Sequence, residues 1–184
     1  MLTRADLIGL EANLINRANG WDVVAPENWM GNHIVPAHIA LIQSEISEAY
    51  EAWAREETEH FREELADVLI RIFGVMRGLN LAVTLEARYP DASNLCELGV
   101  AARISKSEAE SIHESAAMLH LDASRALEAF RKNEKDEFCR QIEILVERIL
   151  VVAMAADADI EKEIAAKLAK NQKRGFRHGG KKKV

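Results

Sequence analysis

Apolar residues recur at helical spacing through most of this chain, and the segments between them are short and polar. Thr3, followed three residues later by Asp6, has the form of a helix N-cap with its acidic partner, and Gly20 offers a stop. The next stretch, WDVVAPENWMGNHIVP, has no sustained period and holds two tryptophans and two prolines, so it reads as an ordered loop. A second helix is predicted from about Ala37 to Arg55 and a third from about Glu59 to Gly78. The polar turn around Glu56 to Thr58 makes the pair antiparallel neighbours. Ile39, Ile42, Ile46, Ala49 and Trp53 form one apolar arc, and Phe61, Leu65, Val68, Ile72 and Val75 form another.

Beyond RYPDASN, read as a connection, the pattern returns. LHLDASRALEAFRK echoes LIQSEISEAYEAWAR, and EILVERILVVAM echoes EELADVLIRIFGVM when shifted by three more residues. In that alignment Asp122 stands for Glu45 and Glu147 for Asp67, while Arg125 replaces Glu48 and Ile144 replaces Glu64. The expected architecture is all-α and a single domain over 1–184. It comprises an N-terminal helix, a hairpin over 37–78, a degenerate hairpin over about 107–156, and a basic C-terminal helix and tail over 159–184.

Composition agrees with helices: there are only 3 prolines and 9 glycines, and 48% of residues are hydrophobic. A net charge of -6 argues against a general nucleic-acid binder, although KRGFRHGGKKK concentrates positive charge at the end. Cys96 and Cys139 lack metal-ligand spacing and read as reduced, buried thiols of a cytoplasmic protein. The N-terminus lacks the apolar core of a signal peptide, and no apolar run is long enough to span a membrane.

Four acids interrupt the apolar arcs. Glu45 lies within the first arc, with Glu48 one turn on, and Glu64 sits at the margin of the second with Asp67 beside it. Residues three apart share a helix face, so two packed helices bring four carboxylates together. Converging like charges call for compensation, most simply by divalent cations. A ferritin-like di-iron site is the rival metal chemistry, through Glu57 with His60 and Glu110 with His113. Its placement is poor, because Glu57 falls in the turn and Glu110 precedes the apolar heart of its helix. A non-catalytic helical interaction module is the other alternative.

An ExxE pair, an intervening turn and then an ExxD pair resemble the MazG-like all-α nucleoside triphosphate pyrophosphohydrolases, a superfamily that includes the dimeric dUTPases. KLAKNQKRGFRHGGK independently resembles the ending of many such proteins. The resemblance implies hydrolysis of a nucleoside triphosphate to NMP and pyrophosphate with Mg2+, or Mn2+ as a substitute. Mg2+ prefers oxygen ligands and is commonly shared between carboxylates and substrate phosphates. Glu48, Glu64 and Asp67 would be ligands, and Glu45 a ligand or the general base. Lys167, Asn171, Arg174 and Lys181 would face the phosphates, and Trp21, Trp29 and His38 the nucleoside. Arg71 would serve the phosphates or pair with Asp67 one turn earlier. Short members complete their bundle with a second subunit, part of which the extra hairpin can supply here; a homodimer is the expected assembly.

Overall fold

A computed structural model describes residues 2–30, 33–105 and 112–176. It is all-helical, with no strand among the described residues. The helices are α1 (Arg4–Ala18), α2 (Ile34–Ala54), α3 (Thr58–Gly78), the single turn α4 (Leu85–Arg88), α5 (Leu95–Ser105), α6 (Ile112–Arg131), α7 (Lys135–Ala155) and α8 (Ile160–Gln172). Among the described residues no helix is long and apolar enough to cross a membrane.

Local chemistry sets the element ends. Thr3 and Asp6 form a reciprocal capping box at the start of α1, and Gly20 follows its end at φ 77, where a side chain is strained. Helix α2 begins three residues before the expected Ala37, because Pro36 falls in the first turn, where its missing N–H breaks no helical hydrogen bond. Asp159 caps α8 by accepting from the Lys162 N–H. Helix α5 was not anticipated from the sequence pattern, which runs from the RYPDASN connection straight to the second hairpin. Asn94 starts it by accepting from the Glu97 N–H.

The fold consists of two three-helix units in the same order. Helices α2 and α3 form one hairpin and α6 and α7 the other, and each turn carries one residue in the left-handed region, Glu56 at φ 61 and Asn133 at φ 61. Asn80 and Asp157, again with positive φ, follow α3 and α7 at matching positions. Helix α1 packs on α3 and α5 packs on α7. At both crossings a glycine lets backbone meet backbone. A Cβ on Gly9 would lie 2.2 Å from the Phe73 carbonyl oxygen, and one on Gly99 would lie 2.8 Å from that of Leu150.

One constant offset therefore relates the hairpins, with Phe61 matching Phe138 and Arg71 matching Arg148. The three-residue shift expected for the last helix is not present. Gln141, not Ile144, occupies the place of Glu64, Ile144 occupies that of Asp67, and Glu147 matches Ile70. Glu147 is instead held by Arg88 at 2.7 Å.

The units meet through α2 and α6. Gln43 donates to the Ser124 hydroxyl at 3.1 Å, while Ser47 lies 3.5 Å from Nε2 of His120. His120 matches Gln43 and Ser124 matches Ser47, so the two contacts exchange under an approximate two-fold, as in a symmetric dimer interface. The core runs through both units, from Ile8 and Phe73 to Phe138 and Ile149. Both cysteines are half-buried, not fully buried as expected, and neither is in a disulfide. Helix α8 closes the bundle against α3 and α1.

Candidate metal centre and adjoining cavity

The α2–α3 hairpin brings Glu45, Glu48 and Glu64 together: each can offer one oxygen such that all three lie within 4.8 Å of one another. Glu45 and Glu64 are buried and Glu48 is exposed, so the cluster has one open side. Buried carboxylates this close repel unless a cation or proton intervenes. Glu64 Oε2 is buried and has no hydrogen-bond partner among the described residues. Its acidity is displaced accordingly. Burial first, then the neighbouring Asp67 and Glu45, raise it to about 7 against the pull of Lys167. Three converging carboxylates, one of them with an unpartnered oxygen, suit a hard divalent cation.

Two neighbouring acids, Glu63 and Asp67, are paired from within the protein. Lys167 of α8 is itself buried and places its Nζ 2.6 Å from Asp67 and 2.7 Å from Glu63, with Glu64 at 3.8 Å. Burial opposes a charged ammonium here, but hydrogen bonds to Asp67 and Glu63 outweigh it and hold Lys167 above its ordinary value. Lys170 joins Glu63 at 2.5 Å. Burial would raise the Glu63 carboxyl, yet the two lysines bring it down to about 2. Asp67 remains raised, because burial exceeds the help it receives from Lys167.

Arg71 does not make the expected i to i+4 pair with Asp67. It reaches across the hairpin to Glu45, with Nε donating to Oε1 at 2.7 Å and Nη2 on the same oxygen. Asp67 is paired with Lys167 instead. At the matching place in the other unit Arg148 donates to Asp122 at 2.9 Å, and Asp122 is fully buried. The arginine–carboxylate cross-link thus belongs to both hairpins. Glu48, Glu64 and Asp67 belong to the first alone.

Beside the acids opens a cavity of about 430 Å³ whose wall includes Asp67 and Arg71. It also includes Trp21, His38, Asn171 and Arg174, so six of the residues singled out in the sequence share one space. Burial, then the Arg71 guanidinium, push His38 below its ordinary value despite Asp22 nearby. An uncharged imidazole faces the cavity at neutral pH. The structure adds Asn13, Asn16, Asn19, Asp22 and Leu41 to the lining. Asn13 is fixed by donating to the Gly74 carbonyl at 3.0 Å, and the absence of a side chain on Gly74 leaves room for it. The run of asparagines in EANLINRANG was the available signal for these residues, one helical turn apart on α1.

Trp29 is placed elsewhere. Its ring meets Phe130 and Phe138 edge-on at 5.0 and 5.3 Å, and its indole N–H donates to Asn133 at 2.7 Å. It pins the loop to the far hairpin and does not line the cavity. Lys181 and Glu110 lie outside the described residues, as do residues 107–111 of the expected second hairpin. Of the histidines considered for iron, His60 lies 3.4 Å from Glu64, whereas His113 packs edge-on against Trp53 and bonds to Tyr50 at 2.8 Å.

Comparison with protein-family models, curated proteins and solved structures gives no match to this chain. The fold and site thus define an all-α bundle with a buried acidic cluster beside a mixed polar and apolar cavity.

Proposed function

We propose that the protein is a Mg2+-dependent nucleoside triphosphate pyrophosphohydrolase of the MazG-like kind. The observation that carries this reading is the adjacency of the two sites: a cluster of carboxylates with an unpartnered oxygen is bonded through Glu45 to Arg71, and Arg71 and Asp67 both line a cavity of nucleoside size. Glu48 and Glu64 would hold Mg2+ or Mn2+, with Asp67 beside them and Glu45 as a ligand or the general base. The metal would supply charge neutralisation for the phosphates and acidity to a bound water.

The chain's own groups divide the remaining work. Trp21 offers a flat face for the base, and the asparagines of α1 offer amide groups to its edge. Arg174 and Asn171 line the same cavity and would receive the phosphates, Arg174 being suited to forked phosphate binding. Lys167 holds Asp67 in place and reduces repulsion of the anionic substrate. Water attacks the α-phosphorus, the bond to the β-phosphate bridging oxygen breaks, and the proton from water passes to a carboxylate, for which Glu45 is our candidate. The products are a nucleoside monophosphate and pyrophosphate, in a cytoplasmic setting. The two units already form a symmetric interface within one chain, so the homodimer implied by the resemblance would add a separate one.

The test is a pyrophosphate-release screen over ribo- and deoxynucleoside triphosphates with Mg2+ or Mn2+. We expect turnover of at least one, abolished by chelation. No release across the panel, with the protein folded, would overturn the proposal.

A further inference from the structure

Asn171 in the last turn of α8 and Arg174 just after it line the cavity from a segment about 150 residues from α1 in sequence, and two contacts tie these ends together. Asn19, the C-cap of α1, is buried and donates its side-chain N–H to the Asn171 carbonyl at 2.9 Å. The Arg174 N–H closes a turn onto that same carbonyl at 3.1 Å. One residue beyond Asn19, Gly20 adopts φ 77, and the ring of Phe176 occupies the space where its side chain would stand. A Cβ there would lie 2.2 to 2.8 Å from three ring carbons. No other residue type allows this approach, because both the backbone conformation and the ring exclude a Cβ. Phe176 is nonetheless 64% exposed, so its burial contributes little to the core. A large aromatic that is seated on a glycine and mostly in water is poorly explained by stability.

We infer that Asn19, Gly20 and Phe176 form a latch that positions Asn171 and Arg174 against the cavity. Gly20 also leads directly into Trp21, which lines the same cavity, so the latch fixes the 171–174 turn relative to that flat wall. These are positioning residues: they set where Asn171 and Arg174 stand and touch no reacting atom. The kinetic consequence rests on the functional reading above, whereas the structural consequence does not.

Hydrogen exchange and steady-state kinetics on the full chain separate the two. Phe176→Ala should speed exchange of the 171–176 amides about ten-fold, leaving α3 amides unchanged. It should raise KM about ten-fold with kcat within about two-fold, and Phe176→Tyr should restore both. Gly20→Ala should have the same effects in the wild-type background, and once Phe176 is removed it should add only the smaller loosening that its strained φ causes. Wild-type exchange at 171–176 in Phe176→Ala would overturn the latch, as would faster exchange with an unchanged KM in an active enzyme. If the wild type turns over no triphosphate, the functional reading falls and the exchange result alone decides the latch.

Discussion

The two hairpins share a backbone and differ in what they hold. Both have the same turn, the same glycine-mediated crossing and the same arginine–carboxylate cross-link, Arg71 to Glu45 and Arg148 to Asp122. In the first hairpin the cross-link stands among Glu48, Glu64 and Asp67, while in the second it stands among Arg125, Gln141 and Ile144. Conserved packing with exchanged charge separates scaffold from chemistry within a single molecule. It reassigns Arg71, whose partner is explained by the scaffold alone. It also identifies the acids that the scaffold does not require.

The comparison breaks first in activity. Glu48→Ala or Glu64→Gln should lower triphosphate turnover by about 10³-fold, the size of losing several kcal/mol of electrostatic stabilisation. Arg125→Ala at the matching place in the second hairpin should stay within about two-fold in the same pyrophosphate-release assay.

Stability should show the reverse emphasis. Arg148→Ala leaves the fully buried Asp122 with the longer contact to Arg125, 3.4 Å away, and should cost about 3 kcal/mol in denaturant unfolding. Arg71→Ala should cost about 1 kcal/mol, because the Arg71 side chain is a third exposed and solvent screens the loss. Equal losses would show that the two cross-links are not scaffold equivalents with different burial. At the helix crossings, Gly9→Ala should cost about 2 kcal/mol and Gly99→Ala about 1 kcal/mol, in the order of their clashes with carbonyl oxygens.

A smaller effect concerns pH. The Glu64 carboxyl, raised to about 7 in the folded metal-free protein from an ordinary value of 4.5, makes the native state bind more protons than the unfolded chain between those values. Metal-free stability should therefore fall as pH rises from about 5 to about 8, lowering Tm by a few degrees. Glu64→Gln should flatten this slope, and added Mg2+ should raise Tm more at pH 8 than at pH 5. A metal-free Tm with the same slope in Glu64→Gln would remove Glu64 from the explanation.

Helix type and hairpin pairing were legible because α2, α3, α6 and α7 carry long apolar arcs broken by short polar turns. The relative register of α3 and α7 was not. A helical apolar stripe overlaps itself after a shift of three or four residues, so an alignment seeking acids found Glu147, while the turn and glycine crossings select Gln141 and Ile144. Helix α5 is short, and its glycine-containing stretch follows a connection, which gives it a weak pattern. Within the site, spacing along a helix brought out the two acidic pairs. It could not reveal the insertion of Lys167 from α8, a contact across about a hundred residues that takes Asp67, nor the cross-hairpin bond of Arg71 to Glu45. Trp29 illustrates the same limit: a flat side chain near the site in sequence packs against the other hairpin in space.

Mn2+ binding followed by electron paramagnetic resonance tests the central asymmetry most directly, because it needs no substrate. The wild type and Arg125→Ala should bind Mn2+ alike, and Glu48→Ala/Glu64→Gln should lose at least about ten-fold in affinity. Unchanged Mn2+ binding in the folded Glu48→Ala/Glu64→Gln protein would contradict a metal centre in the first hairpin.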